Sequence, residues 1–186
     1  YDEGFGLSMI LTQQMTIESF INEVLDHIQA TLFVNPRTGL LTLKLIRDDY
    51  DRDSLEVITP DVARLTNFQR KMWGETINEI IVTWTNPKNE QEETVTIHDL
   101  ANIAMQGGIV SDNRNYYGVR KKGLAAKIAA RDLRSAATPL ASLEMEIDRS
   151  QWHILPGDVR KITWPEEGLF EAVYRVMKVD YGGPKQ

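Results

Sequence analysis

Residues 143–148 read Leu-Glu-Met-Glu-Ile-Asp. Apolar and acidic side chains alternate with a period of two, which a strand can use and a helix cannot. One face of that strand, Leu143, Met145 and Ile147, has to meet a core. The other, Glu144, Glu146 and Asp148, has to meet water or positive charge, because unpaired burial of a carboxylate is costly. Two more strand-like stretches follow, Val159–Trp164 and residues 170–181. The turn between the first two is written Leu155-Pro156-Gly157-Asp158. Pro156 fixes φ for the second turn position, Gly157 takes the positive φ after it, and the Asp158 carboxylate can bond nearby backbone. Pro165 ends the second strand. Three closely spaced strands after one helix predict a small β-barrel-like sheet, closed or nearly closed, with the helix packed on it.

That helix is expected over about Val119–Ser135, with Leu124, Ala125, Ile128, Ala129 and Leu133 on its packed side. Upstream, Ile17, Phe20, Ile21, Val24, Leu25 and Ile28 carry a helical period, with Thr16 as cap. Residues 30–34 and 40–46 flank Asn35-Pro-Arg-Thr-Gly39 and predict a hairpin. Thr59-Pro60-Asp61 reads as the start of a short helix. Residues 78–84 read as a strand, 86–93 as a polar loop and 94–98 as the returning strand. Asp99 caps a brief helix that Gly107-Gly108 stops, and residues 109–117 look irregular. The fold class is therefore α+β. A helix-plus-hairpin module spans residues 1–58, and a barrel-like domain with its packed helix spans 59–186.

The totals remove several function classes. There is no cysteine among the 186 residues, so disulfides, thiolate metal sites and thiol nucleophiles are excluded. No apolar run is long enough for a membrane-spanning helix, and no membrane partner is expected. Residues 1–100 hold 17 acids against 8 bases, while residues 101–186 hold 10 against 13. Such asymmetry suits contact between copies as well as a solvated surface. Because the chain opens on Tyr1, it is expected to be a piece of a longer protein.

The acids of Asp48-Asp-Tyr-Asp-Arg-Asp-Ser54 begin like a calcium loop, but the glycine and the closing glutamate are missing, which leaves a solvated turn. His27, His98 and His153 lack metal-ligand spacing, and His27 falls on the polar side of its helix. Glu75 and Glu79 can be imagined as a catalytic carboxylate pair, with nothing in the sequence to make them converge. No catalytic residue, metal or cofactor is expected. Arg120, Lys127, Arg131 and Arg134 repeat along one side of the long helix. They read as solvated cations, as a possible subunit interface or, least of all, as phosphate contacts, so no specific nucleic-acid binding is expected. The Glu144/Glu146/Asp148 ladder reads as an outer sheet face or as the possible wall of a water-filled lumen.

Three stretches in order, Asn78-Glu-Ile-Ile-Val-Thr-Trp-Thr-Asn-Pro87, residues 124–149 and residues 155–169, resemble phage tail proteins of the tail-tip or baseplate-hub type. Residues 36–51 are similar to the segment that precedes them there. The resemblance implies a structural subunit of a phage or prophage tail. It would be made in the bacterial cytoplasm and built into the virion tail, in a trimeric ring that closes the tube beside other tail proteins. It supplies no catalytic residues. Family members are much longer, so host recognition is not assigned to this piece. The alternatives are a tail-associated cell-wall hydrolase, which needs convergent carboxylates or a metal, and a nucleic-acid or carbohydrate binder. The carbohydrate reading would use Trp152 or Trp164, both of which are expected in the core.

Overall fold

A computed structural model describes residues 4–8 and 16–182. Among the described residues the fold is mixed α+β, with three α-helices and four small sheets of two or three strands. In chain order the elements are α1 (Ile17–Ile28), β1 (Ala30–Val34), β2 (Leu41–Leu45), β3 (Val57–Ile58), β4 (Ala63–Arg70), β5 (Glu79–Asn86), β6 (Gln91–His98), α2 (Leu100–Gln106), β7 (Ser111–Asn115), α3 (Lys122–Ala137), β8 (Ala141–Ile147), β9 (Val159–Trp164) and β10 (Leu169–Arg175). The chain divides into a central unit, Tyr1–Ile17 with Gln69–Ser142, and a flanking unit, Glu18–Phe68 with Leu143–Gln186. The expected boundary after residue 58 differs from this division. β3 lies in the flanking unit, where it pairs in parallel with β9, a hundred residues later in the chain.

In the central unit β5 lies between β6, its antiparallel hairpin partner, and the parallel β7. Ile80, Val82 and Trp84 of β5 face one way and are buried with Leu124, Ala125, Ile128, Ala129 and Leu133 of α3. Each large aliphatic side chain so buried contributes about 1.5–3 kcal/mol. The helix thus packs on this sheet. The expectation that it packs on the C-terminal strands is corrected, because β5 already carries the apolar face that α3 needs. Two details also differ from expectation. The β5–β6 ladder runs to Asn86 and Gln91, so the polar loop is a tight turn. Ser111–Asn115, expected to be irregular, is a strand, ordered by the open edge of β5. α2 ends as expected: Asp99 accepts from the Asn102 amide, and Gly107 sits at φ +74°.

In the flanking unit β9 lies between β10 (antiparallel) and β3 (parallel), while β4 pairs with β8. Ile58, Ile154, Ile162, Trp164 and Leu169 form its core, with Leu143, Met145 and Ile147 of β8 packed against them. The barrel expectation fails. Among the described residues no sheet closes, and β8, β9 and β10 do not form one sheet. β8 pairs with β4, which lies where a helix was expected to begin at Thr59-Pro60-Asp61. β10 ends at Arg175, short of the expected residue 181.

The α1 period and the β1–β2 hairpin fold as expected, with Val34 opposite Leu41 and Ala30 opposite Leu45. His27, placed on the polar side of α1 by its sequence position, is instead buried.

Candidate interaction surfaces and the locks that hold them

The Leu155–Asp158 turn is the point on which the flanking unit is organised. The Asp158 amide donates to the Leu155 carbonyl at 3.1 Å, and the Leu155 amide donates to Asp158 Oδ2 at 3.0 Å, so this residue closes the turn in both directions. The turn then extends the β9–β10 ladder: Gly157 N–H donates to Val176 O at 2.7 Å, and Val176 N–H to Asp158 O at 2.8 Å. Gly157 sits at φ +83°, and a Cβ there would lie 2.8 Å from Lys44 Cδ and 3.3 Å from Thr31 Cγ2. The glycine is therefore required twice, for its backbone and for the close approach of the hairpin. Lys44 Nζ then reaches Asp158 Oδ1 at 2.5 Å. Arg175 donates to Gly157 O and to Arg47 O, which ties the end of β10 to the exit of β2.

Around the same turn, Arg160 lies 3.5 Å from both Asp158 and Glu56, and His153 Nε2 lies 3.1 Å from Glu56. The hydrogen bond from His153 holds the Glu56 carboxyl below its ordinary value, and the Arg160 charge adds to this. Trp152, expected in the core, is 58% exposed, with the Arg37 guanidinium 4.5 Å above its ring, whereas Trp164 is buried as expected.

The central unit has two locks of its own. Asp132 on α3 is 1% exposed. Its carboxylate accepts from the Tyr116 hydroxyl at 2.6 Å, from Arg114 Nη1 at 3.0 Å and from Arg131 Nε at 2.9 Å. Burial pushes the Tyr116 phenol up to about 12, helped by its bond to Asp132. A buried charge with three donors fixes α3 against β7. At the other lock, Asn102 Nδ2 donates to Thr76 Oγ1 and to Ala137 O, and Gln106 donates to Thr76 and Asn102. Asn78 bridges Gly108 O and the Val110 amide.

The residues singled out from sequence fall as follows. Arg120 precedes α3, and its Nε donates to Ser8 O at 3.3 Å. Arg131 turns inward to Asp132 and lies over the Phe5 ring. Of the basic stripe, Lys127 and Arg134 are exposed on α3, while Arg120 and Arg131 are half-buried. Glu144 and Glu146 point outward from β8, with Arg64 Nη1 4.0 Å from Glu146. Asp148 lies beyond the strand and accepts from the Ser150 amide, which lowers its pKa.

Glu75 accepts from the Met72 amide, and Glu79 pairs with Ser111 and His98, so the two carboxylates are committed separately. Among the described residues no group of three or more His, Cys, Asp or Glu is placed to hold a metal. No helix of the described residues is long and apolar enough to cross a membrane. The local bond of Asp158 within its turn was legible in the sequence, whereas its pairing with Lys44 and the Asp132 lock escaped the sequence reading. The only signal of the Asp132 lock was an acid inside an otherwise apolar helix face.

No curated protein matches the sequence. Among solved structures, one chain of the virion of a native gene transfer agent particle superposes with a TM-score of 0.67 at 15% identity, over 91% of this chain and 38% of its own length. A prophage tail protein, gp18 from Listeria monocytogenes EGD-e, matches with a TM-score of 0.40 at 13% identity, over 93% of this chain and 53% of its own. The chain thus spans well under two thirds of the length of either. The family model Phage-tail_3, described as "Putative phage tail protein", matches residues 16–179. That span takes in α1 and every strand from β1 to β10, and the chain belongs to this phage tail protein family.

Proposed function

We propose that the chain is a structural piece of a phage or prophage tail tip or baseplate hub, assembled with copies of itself and other tail proteins into a ring at the distal end of the tail tube. The observation that carries this reading is the family match across residues 16–179, read together with a fold shared with a chain of a gene transfer agent virion. The chemistry of the interior agrees with it. Asp132, Asp158 and Asn102 spend their hydrogen bonds on neighbouring elements, which is the work of a scaffold. Lys127 and Arg134 serve as part of a subunit contact, with Arg120 and Arg131 setting the local backbone and helix. Glu144 and Glu146 face the lumen, where an acidic wall repels DNA phosphates. Asp148 stands at the same rim. The chain performs no catalysis and binds nucleic acid without specificity at most.

Gold-labelled antibody against this chain, applied to intact particles of the phage or prophage that encodes it, is expected to mark the end of the tail away from the head. Label along the tube or on the capsid would overturn the assignment.

A further inference from the structure

The flanking unit has an apolar surface that its own core leaves open. Paired residues of an antiparallel hairpin share a face, so Leu41, Leu43 and Val34 stand together with Leu45. Leu41 is 70% exposed and Leu43 54%, and neither buried core includes a residue of β1 or β2. Exposed sheet faces and edges are normally blunted by lysine. Here the one lysine of β2, Lys44, is turned inward to Asp158. Just past β2 lie Asp48, Asp49, Asp51 and Asp53, all exposed, against two bases, Arg52, which is exposed, and Arg47, which donates to Ile46 O.

The central unit carries a patch of the opposite character. Met72, Trp73 and Leu140 are exposed large apolar residues, drawn together by the bond from the Lys71 amide to Leu140 O. Lys71 directly precedes Met72, and Arg134 stands in the last turn of α3, shortly before Leu140 in the chain; both are exposed, and neither makes an ion pair among the described residues. Glu75, the nearby acid, is held by the Met72 amide.

We propose that the leucine face of the β1–β2 hairpin seats the Met72/Trp73/Leu140 patch of a second copy of the chain, with the acids at positions 48–53 facing Lys71 and Arg134 of that copy. The occupant follows from charge: an apolar patch beside acids fits an apolar patch flanked by bases. Because the two surfaces are different, the contact is heterologous, the kind that builds a ring where its rotation closes. The inference rests on the proposed ring and names the surfaces that close it.

The chain has no cysteine, so single introduced cysteines report proximity without background. An equimolar mixture of Leu43→Cys and Met72→Cys chains, mildly oxidised at high concentration, is expected to give the mixed disulfide several-fold above either homodimer. Changing Asp48, Asp49, Asp51 and Asp53 to Lys in the first chain removes that excess. Changing Lys71 and Arg134 to Glu in the second restores it. Homodimers alone, or no cross-linked product, overturn the contact. Tail position is read independently by the gold label, so a failed cross-link with label at the tip sinks this contact and leaves the tail-tip reading standing.

Discussion

Gly157→Ala separates two reasons for one glycine. At φ +83° any side chain strains the backbone, at about 1–2 kcal/mol. The added methyl also enters the space of Lys44 Cδ and Thr31 Cγ2, at 2.8 and 3.3 Å. Relief requires Lys44 to move, and its ammonium is held by Asp158. Overpacking of this kind adds about 1–3 kcal/mol. The expected loss is therefore about 2–5 kcal/mol, measured by urea denaturation of the chain. Gly39→Ala supplies the control. It shares the left-handed conformation, at φ +68°, with nothing within 4 Å of the new Cβ, so it should lose only the backbone part, about 1–2 kcal/mol. In a Lys44→Ala background the cost of Gly157→Ala should fall toward that of Gly39→Ala. Equal losses at the two glycines in the wild-type background would refute the close docking of hairpin on turn.

Asp132→Asn removes the charge on which Arg114, Arg131 and Tyr116 converge and should cost about 3–5 kcal/mol in the same assay. The Tyr116 phenol is raised in the fold, so its contribution is whole below pH 10 and is lost as pH climbs through about 12. Denaturation midpoints from pH 9 to 12 should therefore fall more steeply for the wild type than for Tyr116→Phe. Glu56 titrates below its ordinary value because of His153 first and Arg160 after it, so its share of stability is present above that value and fades as pH drops through the depressed one. Carboxyl NMR titration should show the Glu56 midpoint rising toward the ordinary value in His153→Ala. Asn102→Ala takes the Asn102 donor from Ala137 O and the Asn102 acceptor from Gln106, while Thr76 Oγ1 keeps its bond from Gln106, and should cost about 1–3 kcal/mol by thermal denaturation.

What was legible in the sequence was local. The α1 stripe, the hairpin around Asn35–Gly39, the Asp99 and Gly107 ends of α2 and the Leu155–Asp158 turn each depend on residues within a few positions of one another. What escaped was long-range pairing. Ser111–Asn115 carries no apolar alternation, and its strand exists because β5 offers a parallel edge. Leu143, Met145 and Ile147 announced a buried face without naming its partner. β8 pairs with β4, and this partition replaces the expected barrel with separate small sheets. The basic stripe was drawn from helical spacing alone. Spacing cannot show that Arg120 lies outside α3, or that Arg131 is spent on the residue next to it. The turn at Gly157 could be read as a bend, but the approach of Lys44, 113 residues earlier, could not.

A cryo-electron microscopy reconstruction of the tail that carries this protein tests the central claim most directly. The account predicts density matching the two units in symmetric copies at the distal end of the tube. Placement of that density along the tube or at the head, or its absence from the particle, would contradict it.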